Sequence, residues 1–355
     1  MISSTALYLN LTSSALGLLL VLFLIPKAAP VFLRVRLFGK DLNKSSLLDT
    51  KVPESLGIIP ATVFLLIVTC FQLLLHDVSL LVQYNAALVS ICLMTFLGFA
   101  DDVLNLRWRY KLLLPAVASL PIVVSYSGTT VVIIPSFLRS YLPESLDTGY
   151  FYLFYLVSLL LFCSNSINIY AGINGLEVGQ SVIIGLTLVF YNLYQLFNQP
   201  ELHQMQHFLA LLFLVPFVFC SLGLLYHNKY PSKVFVGDSF TYFAGITLGV
   251  SAILGRMTKL LLLLFIPQLL NFLYSLPQLV GIVPCPRHRL PKYNEKTGLL
   301  EGVPFHMNLI NLVLRVMGDM SERNLFFVLM LFQVVCSVGG LYLRKFFARF
   351  EWLSD

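Results

Sequence analysis

The chain has 355 residues, of which 58% are hydrophobic and 11% charged, with a net charge of +6. Soluble domains carry about 25% charged residues, so a chain this apolar has too few polar groups to cover its own core in water. Together with a mean hydropathy of +0.84, this excludes soluble-enzyme, disordered and nucleic-acid-binding readings and leaves a polytopic membrane protein.

A helix that crosses a bilayer needs about 20 mainly apolar residues. In chain order, spans are predicted near Ala6–Pro26, Gly57–Leu75, Asn85–Phe99, Tyr110–Tyr126, Tyr150–Ile167, Val178–Phe197, His207–Tyr226, Phe240–Leu254, Lys259–Leu279 and Asn324–Leu343. These ten spans predict an all-α membrane protein, one transmembrane catalytic unit over 1–355. Asn85–Phe99 and Phe240–Leu254 are short, and both adjoin polar motifs. That suits helices ending in a protein-lined, water-filled cavity. The first run has no charged segment before it and a basic one after it, as in a retained anchor rather than a cleaved signal. No internal repeat is evident. The six cysteines are scattered without a CxxC pair, so neither a zinc site nor a disulfide framework is indicated.

Ten spans put both termini on one side. The loops after the odd-numbered spans hold 16 Lys and Arg, against 6 on the opposite face. The positive-inside bias therefore predicts cytosolic odd-numbered loops and termini outside the cytosol. The longest cytosolic loop is 281–323. Asn10-Leu-Thr12 is a glycosylation sequon on the non-cytosolic side, close to the first span.

The scarce polar residues gather in the odd-numbered loops. Asp101 and Asp102 end the third span, followed by Arg107, Arg109 and Lys111. Such a pair is either a solvated helix end or a means to hold a divalent metal or position an anionic nucleophile. Asn165 and Asn168 are i,i+3 partners on one helix face. Gly172 and Gly175 after them suit an unwound turn approached closely by a ligand. Asp238 stands just before a short span, where it is either a helix cap or a ligand. Arg287, His288 and Arg289 sit between Pro284, Pro286 and Pro291; the prolines argue for a fixed loop, and Arg forks suit phosphate oxygens. Carboxylates and amides for a metal, with cations for phosphate, together describe phosphoryl transfer at a membrane surface. No Walker A motif and no strand-borne GxGxxG is present. A transporter shares intramembrane polar groups and broken helices. It does not explain why these groups collect in the loops of one face.

These segments resemble a known family, the polyprenyl-phosphate N-acetylhexosamine-1-phosphate transferases. The resemblance is carried by Gly39–Lys44, Val52–Ser55, Leu97–Arg109, Asn165–Glu177, Gly223–Asn228, Phe235–Asp238, Asn271–Gln278 and Pro284–Arg289, in the family's order. Bacterial members carry Asp-Gly-(Leu/Ile)-Asp-Gly where this chain has Ala171-Gly-Ile-Asn-Gly175, and a histidine-rich loop where it has Arg287-His-Arg289. Both differences favour the dolichol-using eukaryotic branch. The resemblance implies transfer of GlcNAc-1-phosphate from UDP-GlcNAc to dolichyl phosphate, with Mg²⁺, on the cytosolic face of the endoplasmic reticulum. It implies no nucleic-acid partner and leaves room for a homodimer.

Matched motif by motif, Asn168 and Asp238 resemble the magnesium ligands. Arg287, His288 and Arg289 match the loop that binds the donor diphosphate and sugar, and Trp108 lines the sugar pocket. Lys40, Asp41, Leu42, Glu54, Gly172, Asn174 and Phe235 match the uridine-side wall. Lys111 and the stretch Leu161, Phe162, Cys163, Ser164, Asn165, Ser166, Ile167, Asn168 and Ile169 match the acceptor-phosphate side. Asp101 and Asp102 stand next to Lys111 in the catalytic group, as base, metal-organising group or structural brace for Lys111. Two departures stand out. Lys40 replaces an expected neutral Gln, and Leu290–Met307 is shorter than the insertion expected of animal relatives.

Overall fold

The computed structural model describes residues 4–44, 51–107, 109–134, 136, 139–141, 143–286 and 288–348, with the side chains of 201–203 and 348 left aside. Helices dominate: α1 Ser4–Arg34, α2 Ile58–Cys70 continued by a 3₁₀ turn Phe71–Leu74, α3 Val78–Leu104, α4 Tyr110–Val124, α5 Tyr150–Ile169 and α6 Leu176–Asn198. Then follow α7 Glu201–Asn228, α8 Gly237–Leu254, α9 Thr258–Leu264, α10 Ile266–Leu279, α11 Leu309–Met317 and α12 Glu322–Ala348. Each of the ten predicted apolar runs is helical. By length and composition six helices among the described residues can cross a membrane, and the pair α9–α10, bent by 66°, makes a seventh if it is one span; α2, α4 and α8, three of the ten predicted spans, are not among them.

The sequence boundaries need one correction. The run predicted as a short Asn85–Phe99 is part of α3, which has 27 residues. At a rise of about 1.5 Å per residue that exceeds the hydrocarbon core. Its start is set by Asp77, whose carboxylate accepts from the backbone N–H of Ser79 and Leu80. The short α8 is the hub of the bundle: every residue from Ser239 to Leu254 is buried. Packed on α3, α5 and α7, it meets protein where other spans meet lipid, so its length need not match the bilayer.

Small residues set these crossings, as expected where lipid removes the hydrophobic drive between helices. A Cβ on Gly245 of α8 would lie 2.3 Å from Ser164 Cα of α5, and one on Gly98 of α3 would lie 2.6 Å from the Asp238 carbonyl oxygen. At the α9–α10 break, the Leu264 carbonyl oxygen accepts from Gln333 Nε2 of α12 at 2.9 Å. The bend therefore leaves that carbonyl satisfied inside the membrane region.

Three antiparallel hairpins of three-residue strands join the helices and were not anticipated: β1 Phe38–Lys40 with β2 Lys51–Pro53, β3 Val131–Ile133 with β4 Ser145–Asp147, and β5 Lys292–Asn294 with β6 Leu299–Glu301. Strands so short carry no readable alternation. The third hairpin and α11 give the 281–323 loop its own structure. Asn10, in the sequon, is 1% exposed and donates to the Leu211 carbonyl oxygen at 2.9 Å. Its amide belongs to the α1–α7 contact.

Candidate active site

Residues from the connections after the first, fifth, seventh and ninth predicted spans come together around one cavity. It has a volume of about 640 Å³ and is walled by Gly39–Asn43, Glu54, Asn168, Ile169, Ala171–Asn174, Glu177, Asn228, Phe235–Asp238, Thr241, His288–Leu290 and Asn308. Lys40, Asp41, Leu42, Glu54, Asn168, Ile169, Gly172, Asn174, Phe235, Asp238, His288 and Arg289 of the sequence-predicted site thus share one wall. Trp108 and Arg287 lie outside the described residues.

Asp238, in the first turn of α8, is the point on which three helices converge. Its Oδ1 accepts a short hydrogen bond from Asn168 Nδ2 of α5, and its Oδ2 lies 3.1 Å from Lys111 Nζ of α4. Lys111 also lies 2.9 Å from Asp101 Oδ2 of α3. Asp101 holds its own helix end as well, accepting from the Leu106 N–H at 3.0 Å. Asp102 points the other way. Its two oxygens accept from the backbone N–H of Asp238 at 2.6 Å and of Ser239 at 3.1 Å. One helix end thereby caps another, a contribution of about 0.5–2 kcal/mol. Gly237, at φ +70°, is required here: a Cβ would fall 2.4 Å from Asp102 Oδ2. Asp101, Asp102 and Lys111 do not line the cavity wall; they stand behind Asp238. The contact with Lys111 falls to Asp101, whereas Asp102 holds the start of α8, a role outside the three set out above.

The turn after α5 has positive φ at both Gly172 (+132°) and Gly175 (+85°), as the glycine pair predicts. The Gly172 carbonyl oxygen accepts from Asn43 Nδ2 at 2.7 Å. Asn174 Nδ2 donates to Asp41 Oδ2 at 3.1 Å, and its backbone N–H to Glu322 Oε1 at 2.7 Å. Phe235 is held by backbone pairing with Pro53 and Leu56, and its ring lies against Gly39. Burial, with the Asp238 charge second, pushes the Glu54 carboxyl above its ordinary value.

The ninth loop is tied to α10 by one polar face. Asn271 bridges the Ile169 carbonyl oxygen and the Leu309 N–H. Ser275 donates to the Met307 carbonyl oxygen. Gln278 donates to the carbonyl oxygens of Pro284 and Phe305 and accepts from the Met307 N–H. These residues explain the Asn271–Gln278 segment as a loop anchor. Arg289 donates from Nη1 to the Met307 carbonyl oxygen at 3.2 Å, while its own carbonyl oxygen accepts from Asn308 and Asn311. Burial holds its guanidinium below the ordinary arginine value. The loop is prefixed by these bonds as well as by its prolines.

On the acceptor side the structure divides the predicted stretch. Cys163, Ser164, Ser166 and Ile167 are buried, and Ser164 packs against Gly245; their side chains face helix neighbours rather than a ligand. Leu161, Phe162, Asn165, Asn168 and Ile169 are partly exposed. Asn165 donates to the Leu161 carbonyl oxygen of its own helix, so of the asparagine pair Asn168 alone reaches Asp238. The whole stretch was carried by a contiguous motif, and a helix turns half of any such motif inward.

Sequence reading missed Asn43, Glu177, Thr241 and Glu322. Thr241 Oγ1 accepts from Asn168 at 3.3 Å. Glu322, 4% exposed, opens α12; in sequence it reads as an ordinary acid in a helix first turn. Its scarcity as one of 17 acidic residues was the signal available.

A largely helical membrane bundle with carboxylates, amides and a guanidinium gathered at one mouth is chemically suited to phosphate-bearing ligands. Residues 84–256 match the model of the family described as Glycosyl transferase family 4. A Dictyostelium discoideum UDP-N-acetylglucosamine–dolichyl-phosphate N-acetylglucosaminephosphotransferase is 48% identical over 92% of this chain and 86% of its own length. The proteins of that name from Schizosaccharomyces pombe and Saccharomyces cerevisiae are 34% identical over 98% of the chain and 93% of their own, and 39% over 80% and 70%, respectively. The chain belongs to this family of dolichyl-phosphate N-acetylglucosaminephosphotransferases.

Proposed function

We propose that the protein transfers GlcNAc-1-phosphate from UDP-GlcNAc to dolichyl phosphate, giving GlcNAc-diphosphodolichol and UMP, in the endoplasmic reticulum membrane. The observation that carries this is the convergence of Asn168, Lys111 and the capping Asp102 on Asp238, at a cavity that Arg289 also lines. The cavity mouth then faces the cytosol and the termini the lumen.

Mg²⁺ fits the donor set. Asp238 supplies carboxylate oxygens, and Asn168, having committed its amino group to Asp238, keeps an amide oxygen for a cation. Lys111 is shared by Asp101 and Asp238, and Asp102 adds a third carboxyl group that is held by backbone N–H groups alone among the described residues. Among the described residues no three His, Cys, Asp or Glu side chains form a closed cage. Mg²⁺ suits such a site, because it keeps waters and substrate phosphates in most of its coordination positions. When bound, the ion supplies charge neutralisation for the donor diphosphate.

The acceptor phosphate is already an anion, so its attack on the β-phosphorus needs screening and alignment more than a strong base. Lys111 supplies an ammonium on the α4 side, where the lipid phosphate arrives. Arg289 supplies a guanidinium on the ninth-loop side. The N-terminus of α8 adds a helix dipole that favours anions. The acceptor oxygen forms the new bond to the β-phosphorus, the bond from that phosphorus to the bridging oxygen breaks, and UMP leaves with the electron pair.

Purified protein given UDP-GlcNAc labelled at the β-phosphate, with dolichyl phosphate and Mg²⁺, tests the reading. The label should enter lipid and unlabelled UMP should be released. Label remaining in water, or efficient use of a UDP-N-acetylmuramoyl-pentapeptide donor, contradicts it.

A further inference from the structure

Asn174 has both amide hydrogens committed to carboxylates. Nδ2 lies 3.1 Å from Asp41 Oδ2 and 3.4 Å from Glu322 Oε2. Its backbone N–H donates to Glu322 Oε1 at 2.7 Å. Carboxyl oxygens of both residues accept from this one nitrogen, which sets the orientation of the amide. Its Oδ1 accepts no hydrogen bond among the described residues, and Asn174 lines the cavity. Asn43 repeats the pattern more weakly, with Nδ2 on the Gly172 carbonyl oxygen at 2.7 Å and Glu322 Oε1 at 3.5 Å. Glu322 is thus a buried acceptor in the first turn of α12, favoured there by the helix dipole. It arrives from a part of the chain remote from both asparagines.

We propose that Glu322 is a specificity-positioning residue: with Asp41 it locks the Asn174 amide so that the cavity presents a hydrogen-bond acceptor to the ligand. The inference rests on the nucleotide-sugar reading above. A fixed acceptor selects a ligand edge with a donor. Within nucleoside diphosphates, a uracil ring carries an imide N–H, whereas the equivalent ring nitrogen of cytosine is a bare acceptor. Two acceptors face to face leave a buried polar pair unsatisfied, which is the basis of strong discrimination. Glu322 does this without touching the ligand.

Replacing Glu322 by Gln can set an amino group beside Asn174 Nδ2, which opposes the present orientation and leaves Asp41 alone to hold it, so the acceptor is no longer firmly presented to the cavity. The test measures UMP and CMP as competing inhibitors of UDP-GlcNAc turnover by the purified full-length protein. Binding of the same two nucleotides is followed in parallel by thermal shift. Wild type should prefer UMP. In Glu322→Gln, KM for UDP-GlcNAc should rise about tenfold with kcat nearly kept, and the UMP-to-CMP preference should fall by at least about tenfold. A merely structural role would weaken both nucleotides alike. Asp41→Asn, which alters the other carboxylate from a loop rather than a helix, should narrow the same preference and serves if the first variant does not fold. A folded Glu322→Gln or Asp41→Asn protein that keeps the wild-type preference overturns the inference alone. Wild-type protein that binds neither nucleotide overturns the underlying reading and the inference with it.

Discussion

Asp101 and Asp102 are neighbours in the chain yet serve different partners. Asp101 holds Lys111, while Asp102 caps α8 beneath Asp238. In sequence the pair was legible as costly and therefore purposeful, but its division of labour was not, because it depends on a helix more than 130 residues away. Asp238→Asn keeps the shape and removes the charge, so turnover should fall at least about a hundredfold while the melting temperature stays near wild type. A variant with ordinary turnover would remove Asp238 from the chemistry. Asp102→Ala leaves two backbone N–H groups of α8 unpaired and should cost about 1–3 kcal/mol, read as a lower melting temperature in detergent. Glu54 bears on pH. Its folded-state carboxyl titrates above the ordinary 4.5, so the fold binds that proton more tightly than the unfolded chain. Stability of the metal-free protein should be fullest below the ordinary value and fall as pH rises through the raised one. Glu54→Gln should flatten that slope in melts taken across pH; an unchanged slope would contradict the assignment.

Among the elements, helices were the legible part: every predicted apolar run is helical, because about 20 apolar residues have few alternatives in a membrane. What composition could not distinguish was α8, equally apolar but enclosed by protein on all sides. Its glycines carry that information. Gly245→Val should drive α8 from α5, since even a Cβ meets Ser164 Cα at 2.3 Å. Overpacking of this kind costs about 1–3 kcal/mol or more, and the expected result is poor accumulation or a melting temperature several degrees lower. A variant of wild-type stability would show that the crossing is looser than described. The hairpins were illegible for the opposite reason, since three residues display no period. Gln278, by contrast, belonged to a recognisable segment, but its work of holding three points of the ninth loop is visible only in the fold.

For the whole molecule, residues as far apart as Asp41, Asn174, Asp238 and Arg289 meet at one mouth. The charge bias of the sequence assigns these connections to one face, an expectation that labelling tests. Cysteines at Thr297, exposed in the β5–β6 turn, and at Ser145, exposed in β4, should react with impermeant thiol reagents from opposite sides, Thr297 from the cytosol. Reaction from the same side would break the helix count. The central claim is that this mouth binds the nucleotide sugar and performs the transfer, and the most direct measurement is an experimental structure with UDP-GlcNAc and Mg²⁺. The diphosphate should lie between Asp238 and Arg289 with the base against Phe235. Density for the nucleotide elsewhere, such as the apolar pocket lined by Leu7, Leu193 and Leu211, would contradict the account.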